Sequence, residues 1–277
     1  MAEPIAIYAR TDREYALRLA REVFSRLKEL GAEPLYDVSV ARHLDGPSVD
    51  LSSEDSDVRK VVVVGGDGTV LRLLQLLGDR TPILHLVRAG RKAFLFDETA
   101  DEALAHLEEF VAGNFHVEKV MRLLVETKWS RLYALNEAAI LALGAKTVDL
   151  RVEVEDDTVY ERLEGDGVII ATPTGSTAYS YSCGGPVLHP TMDAYVITPV
   201  NAVDRIHSPV VVPGSMRARV TVSRSPRPVK LVVDGSYEAV LSEGEVVVAV
   251  LRAPSVNIAR YKPVRLRAPW RMRPAMF

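Results

Sequence analysis

In the N-terminal half, short apolar runs alternate with longer segments whose apolar positions recur every three to four residues. Ile5 to Ala9 reads as a strand. Asp12 to Leu30 then places Ala16, Leu19, Ala20, Val23, Leu27 and Leu30 on one helical face, with Gly31 as the stop. Val61 to Val64 is β-branched and apolar throughout, as a strand buried on both faces requires, and Thr69 to Leu77 reads as the helix after it. Ile83 to Val87 predicts another buried strand. Thr99 to Val111 predicts one more helix, with Thr99 as cap and Asp101 and Glu102 as first-turn acids. Such alternation implies a parallel sheet with helices packed on its faces.

Past about residue 115 the period becomes two. Val148, Leu150, Val152 and Val154 alternate with Asp149, Arg151, Glu153 and Glu155, the pattern of a half-buried strand, and similar strands recur at Arg217 to Ser223, Val229 to Val233 and Glu245 to Leu251. The fold class expected is therefore an α/β N-terminal domain with a parallel sheet plus a β-rich C-terminal domain. The change of period puts the boundary at 1–116 and 117–257.

The chain has 277 residues with 48% hydrophobic and 26% charged, ordinary globular composition with room for two cores. Neither a membrane-length apolar run nor a secretory leader is evident, and Cys183 is the single cysteine, so a reducing, cytoplasmic setting without a disulfide framework or multi-cysteine zinc site is expected. A net charge of −3 gives no electrostatic reason to expect nucleic acid or an anionic membrane as partner, and the basic stretch Arg260 to Arg273 reads as solvated surface.

Three segments carry candidate chemistry. Gly65-Gly66-Asp67-Gly68-Thr69 lies between a predicted buried strand and a predicted helix, where the carboxyl end of a parallel strand presents its ligand site. Glycine lets backbone approach a phosphate without a Cβ in the way, and a helix N-terminus offers unpaired N–H groups to an anion. Asp67 would be repelled by a phosphate unless a metal ion lies between them or it accepts a proton from an attacking hydroxyl. A tight turn with Asp67 stabilising its own backbone is the plainer alternative. The segment is neither a Walker A loop nor the dinucleotide fingerprint. Arg72, one turn into the helix, is either a phosphate contact or a solvated helix arginine.

The second segment runs from Asp166 through Val168–Ala171 into Thr172-Pro173-Thr174-Gly175-Ser176-Thr177-Ala178-Tyr179-Ser180-Tyr181-Ser182. A strand entering so hydroxyl-rich a stretch can converge donors on a polar ligand, with Tyr179 stacking on a base and Thr177 and Ser182 bonding its edge or a ribose. A serine- and threonine-capped helix around a buried tyrosine is its alternative. The third, Asn136-Glu137, offers amide geometry matching an adenine edge and a carboxylate for a ribose hydroxyl, although such a dipeptide alone is usually plain surface.

In this order the three segments resemble the signature of the NAD kinase family. The Thr-Pro-Thr-Gly-Ser-Thr-Ala-Tyr run is highly specific, while Gly-Gly-Asp-Gly is shared with diacylglycerol and sphingosine kinases and, more distantly, with phosphofructokinases. The resemblance implies an enzyme that phosphorylates the adenosine-ribose 2′-hydroxyl of NAD, with ATP or polyphosphate as donor and a divalent cation, Mg²⁺ by chemistry. It implies that Asp67 orients or deprotonates the hydroxyl, with Gly65, Gly66, Gly68 and Thr69 around the phosphates. NAD would meet Asn136, Glu137, Asp166, Thr174, Thr177, Ala178, Tyr179, Ser180, Tyr181 and Ser182. In the family, residues matching Asp166 and part of the tyrosine-bearing segment meet a neighbouring subunit, so a homo-oligomer, dimer or tetramer, is implied. So is a return of the chain end, 258–277, to the first domain.

The sequence departs from the family pattern in four places. Arg88-Ala89-Gly90-Arg91-Lys92-Ala93-Phe94-Leu95-Phe96 adds cations where a Gly-Phe-Leu type segment is usual, and these either grip a donor polyphosphate or form a charged loop. Cys183 replaces a small residue, Asn201-Ala202-Val203-Asp204 replaces a Pro-His-Ser type stretch, and Ser236 follows Asp234-Gly235 where a larger polar residue is common. Two other functions compete: a lipid or small-alcohol kinase with the same glycine loop, and an NAD(H)-sensing module that kept the pocket but lost transfer.

Overall fold

The structure, a computed structural model, describes residues 3–90, 93–144, 146–204, 207–225 and 228–262. These divide into two compact units, one of residues 3–119 and 255–262 and one of residues 120–254. Of the expected return segment 258–277, residues 263–277 lie outside the described residues, as do Arg91 and Lys92.

In the first unit the chain runs β1 (Pro4–Ala9), α1 (Glu14–Glu29), β2 (Glu33–Asp37), α2 (Val38–Ala41), β3 (Ser48–Val49), β4 (Lys60–Gly65), α3 (Asp67–Leu77), β5 (Ile83–Arg88), α4 (Ala100–Ala105) and α5 (Leu107–Ala112). Helix α1 forms where the period predicts: Ala16, Leu19, Ala20, Val23 and Leu27 are buried along one face, and Gly31 at φ 78° follows its C-terminus. The strands pair in parallel in the order β3-β2-β1-β4-β5. The chain thus proceeds outward from β1 on one side, then returns to place β4 on the other. Ligands of open parallel sheets sit outside the strand carboxyl ends at such a reversal, here the ends of β1 and β4. Strand β4 is buried along its whole length, because α3 covers it and Val62 and Val64 join the core that holds Ile5, Ile7, Val23, Leu27 and Phe110.

The single helix expected over Thr99 to Val111 is two. His106, at φ −84° and ψ 5°, ends α4 and begins α5. Its ring stacks on Tyr261 at a 4.3 Å centroid distance and its Nδ1 lies 3.1 Å from Glu98, contacts made from outside the segment and invisible to its period.

The second unit follows β6 (His116–Glu126) with β7 (Arg131–Ala134), β8 (Glu137–Ala142), β9 (Val148–Val154), β10 (Asp157–Gly165), β11 (Gly167–Ala171), a 3₁₀ turn at Gly175–Thr177, the short α6 (Tyr179–Ser182), β12 (Ala194–Val200), β13 (Val210–Pro213), β14 (Ala218–Arg224), β15 (Val229–Val233), β16 (Tyr237–Leu241) and β17 (Val246–Arg260). One antiparallel sheet orders β13-β12-β11-β8-β15-β16, and β10, β9, β14 and the first part of β17 form another. The two-residue period sorts side chains as expected. Val148, Leu150 and Val152 of β9 share a core with Ile140, Ile170, Ile197 and Leu231, while the opposite faces of β11 and β12 close on Ala139, Ile169, Ala171 and Leu188. Strand β17 runs longer than the Glu245 to Leu251 segment expected. Its far end pairs in parallel with β5, Asn257 opposite Ile83, which extends the first unit's sheet.

Full burial of a leucine side chain is worth about 1.5–3 kcal/mol, and its removal also leaves a cavity. Leu27→Ala, at a fully buried position of α1, is expected to cost about 2–5 kcal/mol in urea unfolding. Glu22→Ala on the exposed face stays within about 0.5 kcal/mol. Equal costs at the two positions would contradict the packing described.

Candidate active site

The glycine segment lies where the sheet reversal directs a ligand. Gly65 ends β4, Gly66 is the N-cap of α3, and Asp67 is its first residue. Gly65 has no freedom to change: a Cβ there would lie 2.1 Å from Thr69 Oγ1. Thr69, expected beside phosphate, is buried, and its hydroxyl accepts from the Gly66 N–H at 3.3 Å, so it holds the turn that shapes the loop. Gly68 differs. It is exposed, and a Cβ there would meet nothing within 4 Å.

Asp67 does not merely stabilise its own turn. Its Oδ2 accepts from the Phe94 N–H at 2.7 Å and its Oδ1 from the Leu95 N–H at 3.0 Å, both on the segment after β5. An ionised carboxylate offers about four acceptor positions, so capacity remains after these two bonds. Phe94, 51% exposed, carries its ring beside this carboxylate's anchor. Two arginines stand at neighbouring strand ends and a third on α3. Arg10 follows β1 and donates its N–H to the Val64 carbonyl, and Arg88 lies in register with Gly65. Arg72, exposed on α3, acts electrostatically on Tyr8 of β1.

In the second unit Asn136-Glu137 and the threonine run are brought together. Thr172 donates its N–H to the Asn136 carbonyl at 2.9 Å and its hydroxyl to the Leu135 carbonyl at 2.6 Å. Gly175 approaches so closely that a Cβ would lie 2.0 Å from the Asn136 oxygen. Beneath them Asp234, only 6% exposed, accepts from the N–H groups of Leu135, Asn136 and Glu137 at 2.7, 2.7 and 3.1 Å. Neither Asp234 nor Thr172 was singled out from the sequence; the available signal was an Asp-Gly pair closing an apolar strand, with Asp234 at φ 49°.

The remaining candidates divide. Tyr179 and Tyr181 are 39% and 55% exposed, and Ser182 is exposed beside them. Thr174, Thr177 and Ala178 are half-buried, Thr177 donating its hydroxyl to the Thr174 carbonyl. Ser180 turns inward: fully buried, it shares a 2.8 Å hydrogen bond with Thr198, and a Cβ on Gly185 would lie 2.2 Å from its Oγ. Asp166 is exposed at the opposite end of β11 from Ala171, which pairs with Glu137, and it accepts from Asn201 Nδ2 at 2.8 Å.

Glu137 is electrostatically unusual. Its Oε2 is buried without a hydrogen-bond partner among the described residues. Burial pushes its carboxyl up to about 7, and the charge of Asp234 adds to the shift. Asp234 is itself raised to about 6 by burial, an effect opposed by its three N–H donors and by Arg122. Around neutrality Glu137 therefore passes between a hydrogen-bond donor and an acceptor.

Residues 5–115 match the ATP-NAD kinase N-terminal domain and residues 135–258 the ATP-NAD kinase C-terminal domain. The chain belongs to the NAD kinase family. It is accordingly a kinase enzyme. It is 37% identical over 251 residues to an NAD kinase of Aeropyrum pernix, covering 88% of both chains, and 34% identical to one of Thermococcus kodakarensis over 90% of both. Among solved structures, an NAD kinase from Archaeoglobus fulgidus in complex with ATP superposes with a TM-score of 0.70 at 26% identity, over 91% of this chain and 94% of that one. Yeast NADH kinase complexed with NADH superposes at 0.86 over 97% and 85%, and at 20% identity it speaks to the fold alone. Among the described residues no helix is long and apolar enough to cross a membrane.

The Glu137 carboxyl sets a pH signature. From its unfolded value of 4.5 to about 7, the folded chain keeps a proton that the unfolded chain releases. Stability therefore falls by up to about 3 kcal/mol as pH rises through that window and then levels. Glu137→Gln is expected to remove the Glu137 share of this slope and leave the share of Asp234, whose carboxyl is raised from 3.8 to about 6, so that the variant gains stability on the parent between pH 5 and pH 8, as read from urea midpoints. Parallel profiles for the two proteins would refute the buried-carboxyl assignment.

Proposed function

We propose that this chain transfers the terminal phosphate of ATP to the adenosine-ribose 2′-hydroxyl of NAD, with Asp67 orienting the attacking oxygen. The observation that carries the reading is the Asp67 carboxylate, fixed by the Phe94 and Leu95 N–H groups at the first turn of α3. Held through both oxygens, it keeps lone pairs for a substrate hydroxyl. A carboxylate is a weak base toward an alcohol, so its main contribution is alignment for in-line attack, with the proton accepted as the oxygen–phosphorus bond forms.

The donor's phosphates fit the N-terminal turn of α3, where Gly68 leaves open space at the helix end. Arg72 and Arg88 supply countercharge at the neighbouring positions, while the Arg10 guanidinium is held by both oxygens of Asp12. Among the described residues no three His, Cys, Asp or Glu side chains could together hold a metal ion. A divalent cation held with the phosphate oxygens of the donor would supply charge neutralisation there. For NAD, Asn136 and Glu137 supply edge and hydroxyl contacts. Exposed Tyr179 and Tyr181 supply stacking faces, with Thr174, Thr177, Ala178 and Ser182 around them. Ser180 supports this segment from inside. Exposed Asp166 suits a contact with a second copy of the chain in a homo-oligomer.

Two substitutions test the reading. Asp67→Asn keeps the side chain's shape, and is expected to lower NADP⁺ formation from NAD⁺ and Mg-ATP by roughly 100-fold or more while NAD affinity changes little. Turnover near that of the parent would remove Asp67 from the mechanism. Gly68→Ala separates stability from function. Alanine favours a helix by about 1 kcal/mol over glycine, so the thermal midpoint holds or rises, whereas KM for ATP climbs at least about tenfold if a phosphate occupies that space. Unchanged KM would place the donor elsewhere.

A further inference from the structure

We infer that Arg260 is a positioning residue for phosphoryl transfer, acting on the Asp67 carboxylate through the turn at Phe94 and Leu95. Arg260 closes β17 and is only 7% exposed. Its Nη2 donates to the Leu95 carbonyl at 2.9 Å, its Nε to Glu118 Oε2 at 2.7 Å, and its Nη1 lies 3.4 Å from Asp97 Oδ2. Leu95 is thereby gripped at both of its backbone groups: its carbonyl accepts from Arg260, and its N–H donates to Asp67 at 3.0 Å. The adjoining Phe94 N–H completes the hold on the carboxylate at 2.7 Å.

A buried guanidinium is costly unless its donors are used, and these reach two carboxylates and one carbonyl. A merely structural strand end could have used an apolar side chain. The planar fork instead fixes three points, Glu118 before the second unit, Asp97 after the turn, and Leu95 within it. β17 pairs with β5, the strand that leads into this turn, so Arg260 is referenced to the sheet that carries Asp67. Glu118 and Asp97 balance its charge, so it works through geometry. A reacting group needs supporting donors that are themselves immobilised, because a displacement of about 1 Å can cost about 100-fold in rate.

The inference rests on the reading of Asp67 as the orienting carboxylate, and a double-mutant cycle separates the two. Arg260→Lys keeps a charge for Glu118 but lacks the fork that reaches Leu95 at the same time. With NAD⁺ and Mg-ATP, well below the thermal midpoint of each protein, we expect Arg260→Lys to lower kcat by about 10- to 100-fold with KM for NAD within about threefold. The double variant with Asp67→Asn should be no more than about threefold slower than Asp67→Asn alone, since both changes remove one function. Multiplying effects, or a kcat loss that only tracks loss of folded protein, overturn the role of Arg260. Normal turnover in Arg260→Lys beside a slow Asp67→Asn overturns it while leaving Asp67 in place; normal turnover in Asp67→Asn overturns both. Should Arg260→Lys fold too poorly to assay, Glu118→Gln weakens the same anchor with little change of shape and takes its place in the cycle.

Discussion

A carboxylate beside the phosphates of a nucleotide must be restrained, because charge repulsion would otherwise turn it away from the place where it is useful. In this chain the restraint is two backbone N–H groups, those of Phe94 and Leu95, bonded to the two oxygens of Asp67. Much of the first unit's local structure serves that arrangement. Strand β4 delivers the glycine loop, β5 delivers the segment bearing the donors, and β17 lies alongside β5. The residue that reverses the chain, Gly65, is sterically confined by Thr69, whereas Gly68 is left open toward solvent. One glycine is fixed by packing and the other is free to face a ligand.

The β-rich unit uses the same physical device with the roles exchanged. There the carboxylate, Asp234, is buried, and its three N–H partners belong to the segment Leu135 to Glu137. Its burial raises its own proton affinity and adds to that of Glu137, which has an oxygen buried without a partner. Such unfulfilled polar groups are expensive in a finished core and are expected where a ligand completes the hydrogen bonding. Thr172 and Gly175 close over the same backbone from the other side, which explains why the threonine run and the Asn-Glu pair act as one feature although thirty-odd residues separate them.

What the sequence made legible was local: α1 by its period, β4 and β5 by continuous apolar character, β9 by alternation, and the glycine loop by its place between strand and helix. What it hid was nonlocal. Backbone donors have no letter, so nothing in Phe94-Leu95 announced that its amides would hold Asp67. The role of Asp234 was hidden because its three partners lie about a hundred positions earlier. Within the hydroxyl-rich run, Ser180 and Ser182 read alike, yet one packs against Thr198 and the other faces solvent. His106, where the helix breaks, likewise stacks on a distant residue, Tyr261.

The central claim is that the phosphate is delivered to a ribose hydroxyl held at Asp67, and the most direct measurement is the position of the new phosphate. Purified protein incubated with NAD⁺ and Mg-ATP should yield one phosphorylated dinucleotide per ATP consumed, with phosphorus and proton magnetic resonance placing the group on the 2′-oxygen of the adenosine ribose. ATP turnover without dinucleotide product, or a phosphate found on any other hydroxyl, would contradict the account.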